Sequence, residues 1–153
     1  MLKIKRIDHV AVCVADVADG ARRWTELFGL EASGPEYISS QRANVVVMPG
    51  GSCDLEMVAS EGNASLDRFL AKRGPGLHHV ALEVEDIEEA IAYLKGRGVA
   101  MIDEAPRLGA RGCKVAFVHP KEATGVLVEL VERLTGEPDP RTGWPLPAEV
   151  TIL

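Results

Sequence analysis

The chain has 153 residues, of which 46% are hydrophobic and 26% charged, and its formal net charge is −6. That length and apolar content suit one ordinary domain, or two half-size modules sharing a core, so disorder is not the default reading. The acidic balance argues against nucleic acid as a partner, because phosphate binding needs a basic surface. No apolar run reaches bilayer-spanning length, so no membrane partner is expected. Met1–Arg6 is basic but lacks the apolar block that follows in a signal peptide. Cys13, Cys53 and Cys113 are an odd set with no close pair, which suits a reducing cytoplasm rather than a disulfide framework.

In chain order, Ile7–Val14 alternates as a strand, with Val10, Val12 and Val14 on one face and His9 and Ala11 on the other. Asp16 stands where an N-cap belongs. Val17, Ala21, Trp24 and Phe28 then recur at helical spacing, and Gly29 ends the helix. Strands are expected at Glu36–Ser39, Ala43–Met48 and Cys53–Ala59, with the tight connection at 49–52. Within Glu61–Gly74, Leu66, Phe69 and Leu70 predict a short linking helix that Gly74-Pro75-Gly76 breaks.

Leu77–Val84 is again a strand, with His79, Ala81 and Glu83 on one face and Val80, Leu82 and Val84 on the other. A helix follows through Ile87, Ile91 and Leu94 and closes at Gly98. Further strands are expected at Val99–Ile102, Lys114–Val118 and Val126–Glu132. After Leu134, Pro138, Pro140, Pro145 and Pro147 rule out helix and strand interiors. The tail is either a loosely draped or disordered terminus or, as Trp144 and the apolar end Val150–Leu153 suggest, packs onto something such as a second subunit.

The two halves superpose at an offset of 70 residues: His9 falls on His79, Asp16 on Asp86 and Val17 on Ile87. The expected architecture is therefore α+β, two tandem β-α-β-β-β modules whose sheets form a cupped metal-binding site. The boundaries are 1–60 for the first module, 61–76 for the linking helix and loop, 77–133 for the second module and 134–153 for the tail.

The repeat also carries chemistry. Each histidine starts a strand on the face away from the helices, beside a small alanine. The last strand of each half adds a carboxylate: Glu56 points opposite to Leu55 and Met57, and Glu129 lies in the most apolar run of the chain. A buried carboxylate is costly unless paired or bound to a cation. A lone strand histidine is more often structural, but four residues at repeat-equivalent positions are not independent accidents. His9, Glu56, His79 and Glu129 would converge if the two sheets face each other. They suit one divalent ion, Co, Ni, Mn or Zn, with water or substrate completing the shell. His78 shares its strand face with Val80 and reads as structural; His119, in a loop before Pro120, faces substrate or solvent.

Paired modules with this His–Glu–His–Glu set resemble the vicinal oxygen chelate superfamily, and within it the methylmalonyl-CoA epimerases most closely. The runs that carry the resemblance are Ala71-Lys72-Arg73-Gly74-Pro75-Gly76-Leu77-His78-His79, residues 102–110, and residues 114–121 continuing through 125–130. The resemblance implies a metal at His9, Glu56, His79 and Glu129. It also implies a homodimer, an acyl-CoA substrate, and epimerisation of a 2-carboxyacyl-CoA through a metal-stabilised enolate. Glu129 and Glu56 are then the catalytic carboxylates. Lys121, Arg107, Arg111, His119 and Asn44 fall on the substrate side, the basic groups holding phosphate or carboxylate. Two departures stand out. Glu56 occupies a position where some epimerases carry Gln, as in glyoxalase I. The strand Ala43–Val47 lacks the glutamate that some members place there as a proton-transfer base. The alternatives are a glyoxalase-I-like lactoylglutathione lyase and a non-catalytic ligand-binding member of the superfamily.

Overall fold

Each half of the chain begins with the same local event: an extended strand runs into an aspartate that caps a helix. Asp16 has extended backbone (φ −141°, ψ 125°) and its Oδ1 accepts from the Asp19 backbone N–H at 2.9 Å. Asp86 repeats this (φ −140°, ψ 114°), accepting from the Glu89 N–H at 2.8 Å. The computed structural model describes residues 1–134 and two short strands beyond them, and the fold is α+β. The chain divides into two compact units, Ile7–Val80 and Met1–Arg6 with Ala81–Leu153. Among the described residues no helix is long and apolar enough to cross a membrane.

The unit Ile7–Val80 takes most of β1 (Ile4–Cys13), then α1 (Val17–Phe28), β2 (Glu36–Ile38), β3 (Ala43–Met48), β4 (Asp54–Ser60) and α2 (Ala64–Arg73). Its strands lie in the order β2-β3-β4-β1, with β4 antiparallel to β3 and parallel to β1. The apolar stripe of α1 fixes which strand faces are buried beneath it: Val17, Ala21 and Trp24 pack on Val12, Val14, Val46, Met48, Met57 and Ala59. The opposite faces of β1 and β4 are thereby left to His9, Ala11 and Glu56. Gly29 ends α1 in the left-handed region (φ 71°) and returns its N–H to the Thr25 carbonyl. In the β3–β4 connection a Cβ on Gly50 would stand 2.2 Å from the Cys53 carbonyl oxygen, so only glycine fits. Asn63 caps α2 through bonds from the Ser65 and Leu66 N–H groups.

The other unit takes the second part of β5 (Gly76–Val84), then α3 (Ile87–Gly96), β6 (Arg107–Leu108), β7 (Lys114–Val118) and β8 (Val128–Glu132). Its strand order is β5-β8-β7-β6. One face packs Val84, Ala116, Val118 and Leu130 under Ile87, Ala90 and Ile91 of α3; the other gathers Ala81, Cys113, Val115 and Val131. Val99–Ile102, expected as a strand, makes only a single bridge, Met101 to Val118. The edge strand is Arg107–Leu108 instead, paired with Val115 and Lys114. Local chemistry explains the shift. The Ile102 and Asp103 N–H groups both converge on the Phe117 carbonyl, and the Asp103 carboxylate takes the Phe117 N–H at 2.8 Å, so a side chain occupies the ladder donor. In the tail, β9 (Pro138–Asp139) and β10 (Trp144–Pro145) pair antiparallel. At two residues each they have no interior for proline to disrupt. The expected packing of Trp144 and Val150–Leu153 lies outside the described residues.

Glu83, the repeat counterpart of Cys13, is buried on β5 and takes a bond from Arg6 Nε at 2.7 Å and from Lys5 Nζ at 2.9 Å. Burial alone would raise its carboxyl, but the hydrogen bonds and charges of Arg6 and Lys5 outweigh that and hold it below its ordinary value. A depressed carboxyl contributes stability that is full above the ordinary value of 4.5 and is lost as pH falls through the folded value. Glu83→Gln is expected to cost about 1–3 kcal/mol at neutral pH, most of it through Arg6 because Lys5 is half-exposed. Urea titrations should show the gap between wild type and variant narrowing from pH 7 to pH 3; a gap that stays constant would contradict this account.

Candidate functional site

The parallel register of β1 and β4 sets His9 opposite Asp54 and Ala11 opposite Glu56. Ala11 is fully buried and has only a methyl group, so the Glu56 side chain can lean diagonally across the ladder towards His9. The result is a His9 Nε2 to Glu56 Oε2 separation of 3.6 Å. From the start of β5, His79 brings its own Nε2 to 3.3 Å from His9 Nε2, the two rings meeting edge-on at 72°. All three side chains are buried, at 7%, 7% and 5% exposure for His9, Glu56 and His79.

Each imidazole is held from behind. Asp8, 1% exposed, lies with Oδ2 at 2.8 Å from His9 Nδ1. A carboxylate only accepts, so the proton sits on His9 Nδ1 and the Nε2 lone pair points at the shared space. His79 Nδ1 lies 2.8 Å from His78 Nδ1. The His78 ring in turn rests edge-on against Phe69 of α2, centroids 5.0 Å apart, and the Arg73 guanidinium lies 5.5 Å from the Phe69 ring centre. Burial, joined by the neighbouring His9 and partly opposed by the Glu56 charge, pushes His79 down to about 3. It is therefore a neutral imidazole at physiological pH, the form that binds metals.

Two imidazole Nε2 atoms and a carboxylate oxygen facing one space fit a divalent first-row ion. The spacing also fits. Ligands about 2.0–2.1 Å from a tetrahedral centre stand roughly 3.3–3.4 Å apart, which is close to the 3.3 and 3.6 Å found here. Cys13, two residues past Ala11, adds no nucleophile, because burial and then the charge of Asp67 raise its thiol.

The remaining residues picked out from sequence are placed as follows. Glu129 lies on β8, opposite Phe117 of β7, and is 4% exposed. Arg107 is paired with Asp103 at 3.1 Å, its guanidinium 5.8 Å from the centre of the Phe117 ring. Arg111 adopts the left-handed conformation (φ 57°) in the turn Ala110–Gly112. His119 caps the turn Pro120–Glu122, accepting from the Lys121 N–H at 3.2 Å, while the Lys121 side chain is largely exposed and 4.0 Å from Glu122. Asn44 donates to Glu61 at 2.6 Å and sits three pairs along the β3–β4 ladder from Glu56, so the structure does not bring it to the His9–His79–Glu56 group. Asp8, not picked out from sequence, and His78, expected to be structural, both contact the site histidines. Strand alternation sends neighbours to opposite faces and argues against such contacts, and only the adjacencies Asp8-His9 and His78-His79 could have signalled them.

The sequence profile of the Glyoxalase/Bleomycin resistance protein/Dioxygenase superfamily matches residues 8–117. The chain is 35% identical over 130 residues to the uncharacterized protein YqjC of Bacillus subtilis, covering 84% of this chain and 93% of that protein. It is 33% identical over 132 residues to the mitochondrial methylmalonyl-CoA epimerase of Dictyostelium discoideum, covering 85% and 80%. Among solved structures, a point variant of the Streptomyces coelicolor methylmalonyl-CoA epimerase in complex with 2-nitronate-propionyl-CoA superposes with a TM-score of 0.80. That match has 28% identity and covers 85% of this chain and 98% of the other.

Removing the group behind His9 should be felt even without a ligand. Asp8→Ala leaves a buried imidazole N–H without its acceptor and is expected to cost about 1–3 kcal/mol. The check is a lowered urea midpoint at unchanged m-value; an unshifted midpoint would show that the Asp8–His9 bond contributes nothing.

Proposed function

This chain belongs to the Glyoxalase/Bleomycin resistance protein/Dioxygenase superfamily, and we propose that it is a metal-dependent epimerase of a 2-carboxyacyl-CoA such as methylmalonyl-CoA. The observation that carries the proposal is the buried meeting of His9, His79 and Glu56 in a chain about one-third identical, along most of its length, to methylmalonyl-CoA epimerases. In this reading Glu129, the repeat counterpart of Glu56 and likewise buried, is the fourth donor. A divalent ion bound there supplies Lewis-acid stabilisation of negative charge developing on the substrate oxygens.

The rest falls to the chain itself. Epimerisation removes the proton α to the thioester and returns one to the opposite face. It therefore needs a proton carrier on each side of that carbon. Glu129 and Glu56 hold that role, one from each repeat, since β3 offers Asn44 and valines where another carboxylate could have stood. Asp8 keeps His9 in one tautomer while the carboxylates exchange protons. Lys121, exposed beside the turn Pro120–Glu122, is the cation best placed to meet a CoA phosphate, whereas Arg107 is already committed to Asp103. One feature favours a second reading: Glu56 is a glutamate, as in glyoxalase I, and in a thiol hemithioacetal isomerase the same carboxylates would move a proton between adjacent carbons instead of between the two faces of one carbon.

Incubating one enantiomer of methylmalonyl-CoA in D2O with Co2+- or Mn2+-loaded protein should give deuterium at the α-carbon together with the second enantiomer. Chelation should abolish this and added metal restore it, and Glu129→Gln should lower kcat/KM by roughly 100- to 10,000-fold. Metal-loaded protein that neither exchanges nor racemises the thioester, but isomerises the methylglyoxal–thiol adduct, would replace this reading with the second.

A further inference from the structure

His78 is a histidine the metal reading does not use. Strand alternation directs it away from the face of His79, yet its Nδ1 lies 2.8 Å from His79 Nδ1. Its ring is set by the edge-on contact with Phe69, and Phe69 is set by α2, whose Asn63 cap and last-turn Arg73 both have contacts in place. Resting on the metal-binding reading above, we propose that His78 is the positioning residue for His79. It accepts the His79 Nδ1–H and so leaves the Nε2 lone pair of His79 as the ligand atom.

The chemistry requires such a partner. An imidazole that binds a metal through Nε2 carries its remaining proton on Nδ1, and in a buried setting that N–H needs an acceptor. For His9 the acceptor is the Asp8 carboxylate at 2.8 Å. For His79 it is a neutral imidazole, which fixes His78 as the Nε2–H tautomer. The two site histidines are thus unequal donors. His9, backed by an anion, is the more basic ligand, and His79, backed by a neutral ring, is the weaker one. The edge-on contact with Phe69, centroids 5.0 Å apart, supports the His78 ring in this orientation.

The test compares three proteins: wild type, His78→Phe, which keeps an aromatic ring against Phe69 but has no acceptor, and His78→Asn, whose Oδ1 stands in for Nδ1. Co2+ titration followed by visible absorption should show affinity lowered roughly 10- to 100-fold in His78→Phe and restored to within about threefold of wild type in His78→Asn. In Zn2+-loaded wild type, 15N-imidazole NMR should find His79 protonated at Nδ1 and His78 at Nε2. Thermal unfolding of the metal-free proteins separates a folding defect from loss of the acceptor. If wild type binds metal and His78→Phe binds it within about twofold as well, or if His78→Asn falls as far as His78→Phe, the positioning role is wrong while the metal reading stands. If wild type binds neither Co2+ nor Zn2+, the metal reading fails and takes the positioning role with it.

Discussion

A buried imidazole, His9, with the His79 imidazole at 3.3 Å and the Glu56 carboxylate at 3.6 Å from its Nε2, is the constraint around which the Ile7–Val80 unit is arranged. Burying such groups costs several kcal/mol unless their polar atoms are matched. The matching here is specific. Asp8 takes one face of His9, His78 takes one face of His79, and the two Nε2 atoms and Glu56 face each other. Such a group suits a cation standing between its members, and burial lowers the His79 imidazole, which favours the neutral form that binds metals.

The secondary structure explains how the chain holds that arrangement. The N-cap at Asp16 starts α1 directly after β1, and the apolar stripe of α1 claims Val12 and Val14. Alternation then leaves His9 and Ala11 on the other face. The parallel β1–β4 register puts Ala11, rather than a larger residue, opposite Glu56. At β5 the same logic delivers His79, and α2 adds the Phe69 contact that steadies its neighbour. Glu83 shows how far the repeat has diverged. Its counterpart Cys13 is a buried thiol, whereas Glu83 is a carboxylate clamped by Arg6 and Lys5.

Much of this is legible in the sequence because it rests on local periodicity. The caps at Asp16 and Asp86, the extent of α1 and the bounds of β3 and β7 follow from spacing, and the structure has them where expected. The equivalence of His9 and His79 follows from the duplication. What spacing cannot reveal is a side chain that reaches around its own strand, as Asp8 and His78 do, or one that takes a backbone partner, as Asp103 does with Phe117. The Asp103 contact moved the edge strand from Val99–Ile102 to Arg107–Leu108. Asn44, which the resemblance puts on the substrate side, donates to Glu61 and lies three pairs along the β3–β4 ladder from Glu56.

The most direct measurement is X-ray absorption at the zinc edge of protein loaded with one equivalent of Zn2+. Two imidazole nitrogens at about 2.0–2.1 Å, with oxygen donors completing the shell, is the expected result, and one imidazole should disappear in His79→Ala. A shell of oxygen donors alone, or a two-imidazole shell unchanged by His79→Ala, would contradict the central claim that His9 and His79 together hold the metal.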